Sequence, residues 1–271
     1  MKIETIVKKT LKDIGLKKSD KILVALSGGK DSTIMAYFLK KFGFDIKGFH
    51  IDLGMGEYSE ECLKKVKELC SDLGIELHLY GVKKEMGSSM CYLRGAIQSK
   101  HKKGQIKNCA ICGVIKKWIM NREARKLKFD KIATGHNLDD EAQTYLLNIL
   151  KGNLKLSFGT GAITQNVKNK KFIPRIKPLF YLAEKDIKKF SKEKRLPVNY
   201  EKCPCAIDSY RIQVRSFLEN LPTKEKMNIV KNSQEVLGKR KKEKVKLQYC
   251  EKCGEPTMNK ICKKCELVRF V

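Results

Sequence analysis

This sequence has no apolar run approaching the roughly 20 residues that cross a bilayer as a helix, which excludes a spanning helix. Its first residues, Met1-Lys2-Ile3-Glu4, are charged and lack the apolar stretch of a signal peptide. A cytoplasmic protein is therefore expected. Acidic residues are scarce, 30 against 58 lysines and arginines, giving a formal charge of +28 and a pI near 9.7. No cleavable tail carries the excess, so it points to a polyanionic partner. Nucleic acid is favoured over a membrane surface, because no basic amphipathic anchor stands out. Cysteine, by contrast, is plentiful, at 11. In a reducing compartment that count argues for metal or redox chemistry, not disulfides. With 271 residues, 42% of them hydrophobic, the chain can fill one large domain and an appendage.

A Walker A loop, G-x-x-x-x-G-K-[ST], is also missing. In its place stands Ser27-Gly28-Gly29-Lys30-Asp31-Ser32. The run Lys21-Ile22-Leu23-Val24-Ala25-Leu26 before it reads as a buried parallel strand, and the run from Thr33 to Leu39 after it as a helix. The stretch is thus a strand-to-helix turn. Two glycines let the backbone approach a ligand closely. Ser27 is placed to cap the helix, and the first helical N–H groups form an anion site with the dipole. Lys30 adds a point charge for phosphate, and Asp31 can hold Mg²⁺ through water. A plain turn would need none of Lys30, Asp31 and Ser32.

Residues 3–14 read as a leading helix with Ile3, Ile6, Val7, Leu11 and Ile14 on one face. Strands are expected at 46–52, 75–80 and 131–134, and helices at 31–42, 57–73, 109–128 and 183–195. Alternation of this kind predicts βαβ units and a parallel sheet, with ligands at the carboxyl ends of the strands. Residues 83–108 and 153–180 carry no clear pattern. A second signature, Gly135-His136-Asn137-Leu138-Asp139-Asp140-Glu141-Ala142-Gln143, follows the fourth strand. Its carboxylates suit a helix N-terminus, and beside a phosphate site they can also hold Mg²⁺ or orient a nucleotide. His136 is either a general base or a hydrogen-bonded loop histidine.

Cys109-Ala110-Ile111-Cys112 opens a basic helix. The pair is half a metal site, a redox pair, or two packed cysteines. Cys62 and Cys70 read as ordinary buried cysteines. Cys203-Pro204-Cys205 precedes helices from about 211 and from Pro222. The basic stretch Gly238–Lys244 is the best boundary. After it come Cys250-x-x-Cys253, an eight-residue gap and Cys262-x-x-Cys265, a strong structural Zn²⁺ signal. The expected division is a leading helix at 1–20, a sheet domain at 21–220, a helix and basic linker at 221–246, and a zinc ribbon at 247–271.

The order of these signatures resembles that of the tRNA 2-thiouridine synthetases, adenylating PP-loop ATPases that include archaeal, eukaryotic and thermophile members acting on U34 or U54. The resemblance implies an α/β fold with a parallel sheet. It implies ATP binding by Ala25, Leu26, Ser27, Gly28, Gly29, Lys30, Asp31, Ser32, Lys116, Gly135 and Asp140, with adenine near Ile51. It implies a [4Fe–4S] cluster on Cys109, Cys112 and Cys203, whose unligated iron could carry sulfide. Cys205 competes for the third position, and the Cys-Pro match favours Cys203. Lys30, Asp31, Cys109 and Cys203 are then the catalytic set. The implied reaction adenylates the C2 carbonyl oxygen of a tRNA uridine, and sulfur then displaces AMP. A sulfur-carrier protein or sulfide is the donor, and a homodimer is compatible with the resemblance. The family's N-terminal zinc ribbon has no counterpart ahead of the leading helix. Rival readings are another PP-loop tRNA-modifying enzyme, a persulfide route through Cys109 or Cys203, or a ribbon protein that binds RNA without catalysis.

Overall fold

Ile22-Leu23-Val24-Ala25 forms the central strand, and its first three side chains have no exposed surface. A strand covered on both faces has no polar side to show, hence the unbroken apolar run. The computed structural model describes residues 2–100, 106–164, 169, 171–206, 211–238 and 247–270. In chain order, α1 (Lys2–Asp13) leads into β1 (Ile22–Ala25), α2 (Lys30–Lys41), β2 (Ile46–Asp52), α3 (Glu57–Leu73) and β3 (Leu77–Gly81). Next come α4 (Val82–Met86), α5 (Met90–Ser99), α6 (Asn108–Lys126), β4 (Lys131–Ala133) and α7 (Leu138–Leu150). A 3₁₀ turn (Leu154–Gly159) precedes β5 (Arg175–Ile176), α8 (Glu184–Glu193), α9 (Arg211–Glu219) and α10 (Thr223–Gly238).

The five strands form one parallel sheet in the order β3-β2-β1-β4-β5. Ile22 of β1 pairs with Ile46 on one side and Lys131 on the other. The strand order reverses between β1 and β4. Connections there leave to opposite faces, which opens a crevice at the carboxyl ends of these two strands. Both sequence signatures follow these strands, so the topology alone brings them together.

One face of the sheet is covered by α1, α2 and α3 through Val7, Leu11, Phe38 and Val66. The other is covered by α5 and α6, where Ile111, Ile115 and Ile119 recur every fourth residue and have no exposed surface. Burying each of these isoleucines is worth about 2 kcal/mol. The stretch 83–108, which shows no clear pattern in sequence, holds α4 and α5, the latter capped by Ser89, whose Oγ accepts the Tyr92 N–H at 3.3 Å. Among the described residues, 153–180 hold the 3₁₀ turn, the two-residue β5 and an isolated antiparallel bridge from Ile163 to Ile176. Beyond the expected edge of the sheet domain, α10 packs on α7. Its Val230 shares a cluster with Leu138, Tyr145 and Phe180. The basic run Ser99–Gly104, which reads in sequence as either a solvated loop or an RNA-touching loop, and the run Gly238–Lys244 fall outside the described residues from 101 and from 239.

The tail forms β6 (Gln248–Tyr249), β7 (Pro256–Thr257) and α11 (Lys263–Leu267). It docks on α6. Glu255, 5% exposed, pairs with Arg125 and accepts a 2.9 Å hydrogen bond from Asn121 Nδ2. Lys264 lies 4.4 Å from the centre of the Trp118 ring.

Candidate nucleotide and sulfur site

The loop after β1 is shaped for close approach. Gly28 has φ +83, and a Cβ there would fall 2.8 Å from the Cys62 carbonyl oxygen. Only glycine meets both demands. Gly29, not Ser27, occupies the cap position of α2, and no side chain caps this helix. Ser27 and Ser32 turn to each other with Oγ atoms 3.1 Å apart, and Ser32 Oγ donates to the Gly29 carbonyl at 2.9 Å. The first N–H groups of α2 are therefore left to a ligand, an anion by the sign of the dipole.

Lys30 Nζ lies 2.8 Å from both Asp31 Oδ2 and Glu184 Oε1. Burial alone would lower the Lys30 pKa, but the two carboxylates outweigh it and the net shift is upward. The Asp31 carboxyl is raised by burial, against the pull of Lys30. Its Oδ1 accepts from Asn137 Nδ2 at 2.8 Å, which ties the two signatures together. They also touch through backbone: a Cβ on Gly135 would fall 2.9 Å from the Asp31 carbonyl carbon and the Ser32 nitrogen.

The three acids of the second signature separate by role. Asp139 is held by Lys226 Nζ at 2.6 Å and the Glu184 N–H at 2.7 Å, a structural tie among α7, α8 and α10. Glu141 pairs with Lys177 at 2.6 Å. Asp140 closes a reciprocal capping box with Asn137, and burial, with Glu184 nearby, raises its pKa. Its charge in turn pushes the Asp31 pKa up. Of the three, Asp140 is the one set against the loop. His136 lies on a cleft floor, reached by solvent but walled by protein, with Nδ1 3.0 Å from Thr134 Oγ1. Burial and the charges of Lys177, Lys117, Arg211 and Lys116 hold its pKa down to about 3. So acidic an imidazolium makes a weak base, which favours the hydrogen-bonded histidine over the general base.

Segment 199–205 folds back over the nucleotide loop. The Asn199 N–H donates to the Gly28 carbonyl at 2.8 Å, and Asn199 Nδ2 to Cys62 Sγ at 3.5 Å. Cys203 follows, half-buried. Its pKa is raised by burial, against a hydrogen bond from the Cys205 backbone; the charges of Cys205 and Cys112 add to the rise and that of Lys116 opposes it. Cys203, Cys112 and Lys116 are thus neighbours, and Cys109 is exposed one helical turn before Cys112. Cys205 turns elsewhere. Arg94 Nη2 donates to Cys205 Sγ at 2.7 Å and to Cys91 Sγ at 3.1 Å. Cys62 and Cys70 are each 5% exposed, and burial lifts the Cys70 thiol to about 11. Ile51 lies near the carboxyl end of β2, half-buried and paired with Tyr80.

In the ribbon, the sulfurs of Cys250, Cys253, Cys262 and Cys265 all lie within 4.8 Å of one another, the one such group among the described residues. The Cys262 N–H donates to Cys250 Sγ at 3.2 Å and the Cys265 N–H to Cys262 Sγ at 3.5 Å. Burial would raise the Cys250 thiol, but N–H groups of Cys262, Cys253 and Lys252 bring it to about 6. Amides turned onto sulfur suit thiolates that share a metal.

Sequence reasoning gave no role to Glu184, Arg94, Asn199 or Lys117. Each acts across a long chain separation and carries no local signal. Asn137 was passed over as well, although N-x-x-D at a helix start is a capping pattern that signals it.

A parallel sheet with an uncapped Ser-Gly-Gly loop at its switch point has the layout of a protein that holds nucleotide phosphates at a helix N-terminus. The PP-loop domain family matches residues 1–218. A tRNA-5-methyluridine(54) 2-sulfurtransferase from Pyrococcus horikoshii is 36% identical over 93% of this chain and 79% of its own length. A cytoplasmic tRNA 2-thiolation protein 1 from Caenorhabditis elegans is 31% identical over 93% of this chain and 68% of its own. Among solved structures, a U34-tRNA thiolase, NcsA, from Methanococcus maripaludis, described with its [4Fe–4S] cluster, superposes with a TM-score of 0.82 at 28% identity, covering 99% of this chain and 86% of that one. The chain belongs to the PP-loop family of tRNA 2-thiolation enzymes.

Proposed function

We propose that this chain carries out ATP-dependent 2-thiolation of a uridine in tRNA, in the cytoplasm. The observation that carries the reading is a juxtaposition at one crevice: an uncapped helix N-terminus beside Lys30, Asp31 and Asp140, and, over the same loop, a segment that brings Cys203 to Cys112 and Lys116. A nucleotide loop alone would fit many ligases. Thiols next to it fit sulfur transfer.

In this reading the ATP phosphates lie on the α2 N–H groups, with Lys30 against the charge that develops as the uridine oxygen attacks the α-phosphorus. Pyrophosphate leaves, AMP marks C2, and sulfur displaces it. Asp31 and Asp140 are the pair to hold Mg²⁺. Both carboxyls are raised by burial, and Asp140 pushes the Asp31 pKa up further, a strain that a divalent cation relieves. By residue type Cys109, Cys112 and Cys203 can supply three thiolates to one group, and their sulfurs are not all within 4.8 Å of one another in this structure, unlike those of the ribbon. The [4Fe–4S] cluster that they would hold supplies an iron without a protein ligand, a place for sulfide. Cys203 is preferred to Cys205 because Arg94 already engages Cys205. The ribbon thiols fit one Zn²⁺.

The test is mass spectrometry of tRNA nucleosides from a deletion strain, with the same tRNA treated anaerobically by purified protein, ATP and sulfide. Loss of a 2-thiouridine in the strain and its return in vitro supports the reading; unchanged nucleosides sink it. Iron and sulfide assays on anaerobically reconstituted Cys109→Ala, Cys112→Ala, Cys203→Ala and Cys205→Ala proteins test the ligand set. The first three should lose iron and the last should retain it.

A further inference from the structure

Beside the nucleotide loop, on its β4–β5 side, lies a cleft floored by His136. Three separate elements send cations to it: Lys116 and Lys117 from α6, Arg175 and Lys177 from β5 and the residue after it, and Arg211 from α9. Of these charges, among the described residues only that of Lys177 meets a carboxylate, Glu141 at 2.6 Å. Among the described residues, Lys116, Lys117, Arg175 and Arg211 form no ion pair within 4.0 Å. Arg175 Nη2 donates to the Lys117 carbonyl at 3.3 Å, while its Nε is buried without a partner. Arg211 Nη2 donates to Thr144 Oγ1 at 3.1 Å. These neutral contacts fix the side chains without compensating their charge. Lys117 carries the consequence, with its pKa lowered by burial and by Arg175, Lys177 and Arg211.

A protein does not gather like charges in a walled cleft without cost, since each raises the free energy of the others in a lowered dielectric. An anion would repay it. The triphosphate already has the uncapped N-terminus of α2, Lys30 and, by the family resemblance, Lys116, which leaves Lys117, Arg175 and Arg211 without an anion. A nucleotide that enters a cleft to present its base brings its own backbone phosphates along, and these need compensation there.

We propose that this cleft holds an RNA phosphodiester next to the target uridine, with Lys117 and Arg211 as its principal contacts. The inference rests on the tRNA-modifying reading above and adds to it a binding site separate from the nucleotide loop. Lys117 and Arg211 are solvent-exposed, so their replacement spares the core.

The experiment compares wild type with Lys117→Gln, Arg211→Gln and Lys117→Arg. Three quantities are measured: tRNA affinity across a salt series, affinity for ATP without tRNA, and the melting temperature. Each glutamine variant should lose about three- to tenfold in tRNA affinity and reduce the slope of log K against log salt by about 0.8. Lys117→Arg should keep both. ATP affinity and melting temperature should stay at wild-type values. Weakened ATP binding with unchanged tRNA binding would assign the cleft to the pyrophosphate half of ATP and overturn the proposal. So would unchanged tRNA affinity and salt slope in both glutamine variants. A wild-type thiolation assay on the same tRNA runs alongside. If it forms no 2-thiouridine, the functional reading fails; if it does while the variants bind tRNA normally, only the cleft proposal fails.

Discussion

At the scale of single residues, the site sets charge against burial. Lys30 is bound on both sides by carboxylates, so its ammonium stays protonated and fixed in place before any ligand arrives. Lys30→Ala should lower AMP formation by about a hundredfold or more, the usual cost of removing one preorganised charge from a phosphoryl-transfer site. Wild-type pyrophosphate release from this variant would disprove its role. Asp140 works the other way. Its folded-state pKa is raised by burial, so the group favours the folded state most below its unfolded pKa of about 3.9, and that contribution is lost as pH rises through the folded value. Asp140→Asn keeps an acceptor for the capping box and removes the charge. The ligand-free variant should therefore melt higher than wild type at neutral pH, with a smaller loss on raising the pH from about 4 to 7, while ATP turnover falls. Melting curves over that range check the sign; a variant that melts lower at pH 7 contradicts it.

At the scale of elements, what the sequence disclosed follows from what is local. The apolar run at 22–26, the glycine turn, the acidic helix start at 139–141 and the paired C-x-x-C knuckles all act within a few residues, and each was readable. Helices α4 and α5 were not. Val82–Met86 is too short to show a period, and α5 is only ten residues long, opened by a serine cap rather than an acidic turn. Nor was the seating of the ribbon legible, because it depends on Glu255 meeting Asn121 and Arg125 more than a hundred residues away. That contact makes the ribbon less separate than its own cysteines imply. Glu255→Ala removes the carboxylate that Asn121 and Arg125 share, leaves them only the Lys171 carbonyl, and should cost about 1–3 kcal/mol. The expected sign is release of the tail, seen as faster proteolysis near residues 239–246, with the four thiols still binding one Zn²⁺. Cys250→Ser should lose the metal as well. Identical proteolysis of Glu255→Ala and wild type would mean that the ribbon is held by its other contacts.

At the scale of the whole molecule, the excess of 58 cations over 30 acids has to be weighed against one small site. ATP can meet only the few charges at the crevice, so its affinity should change little with ionic strength beyond the first Debye length of about 10 Å at 0.1 M. A tRNA is long enough to lie across many elements at once, and each phosphate neutralised releases counterions. For about six contacts, affinity should fall roughly a thousandfold between 50 and 200 mM salt. Because long-range attraction acts mainly on encounter, most of the loss should appear as slower association, with dissociation changing less. Stopped-flow binding of labelled tRNA and of a fluorescent ATP analogue over one salt series separates the two. A flat tRNA association rate would mean that the charge of the chain serves something other than RNA capture. Equal salt slopes for tRNA and ATP would mean that RNA meets the protein only at the nucleotide crevice.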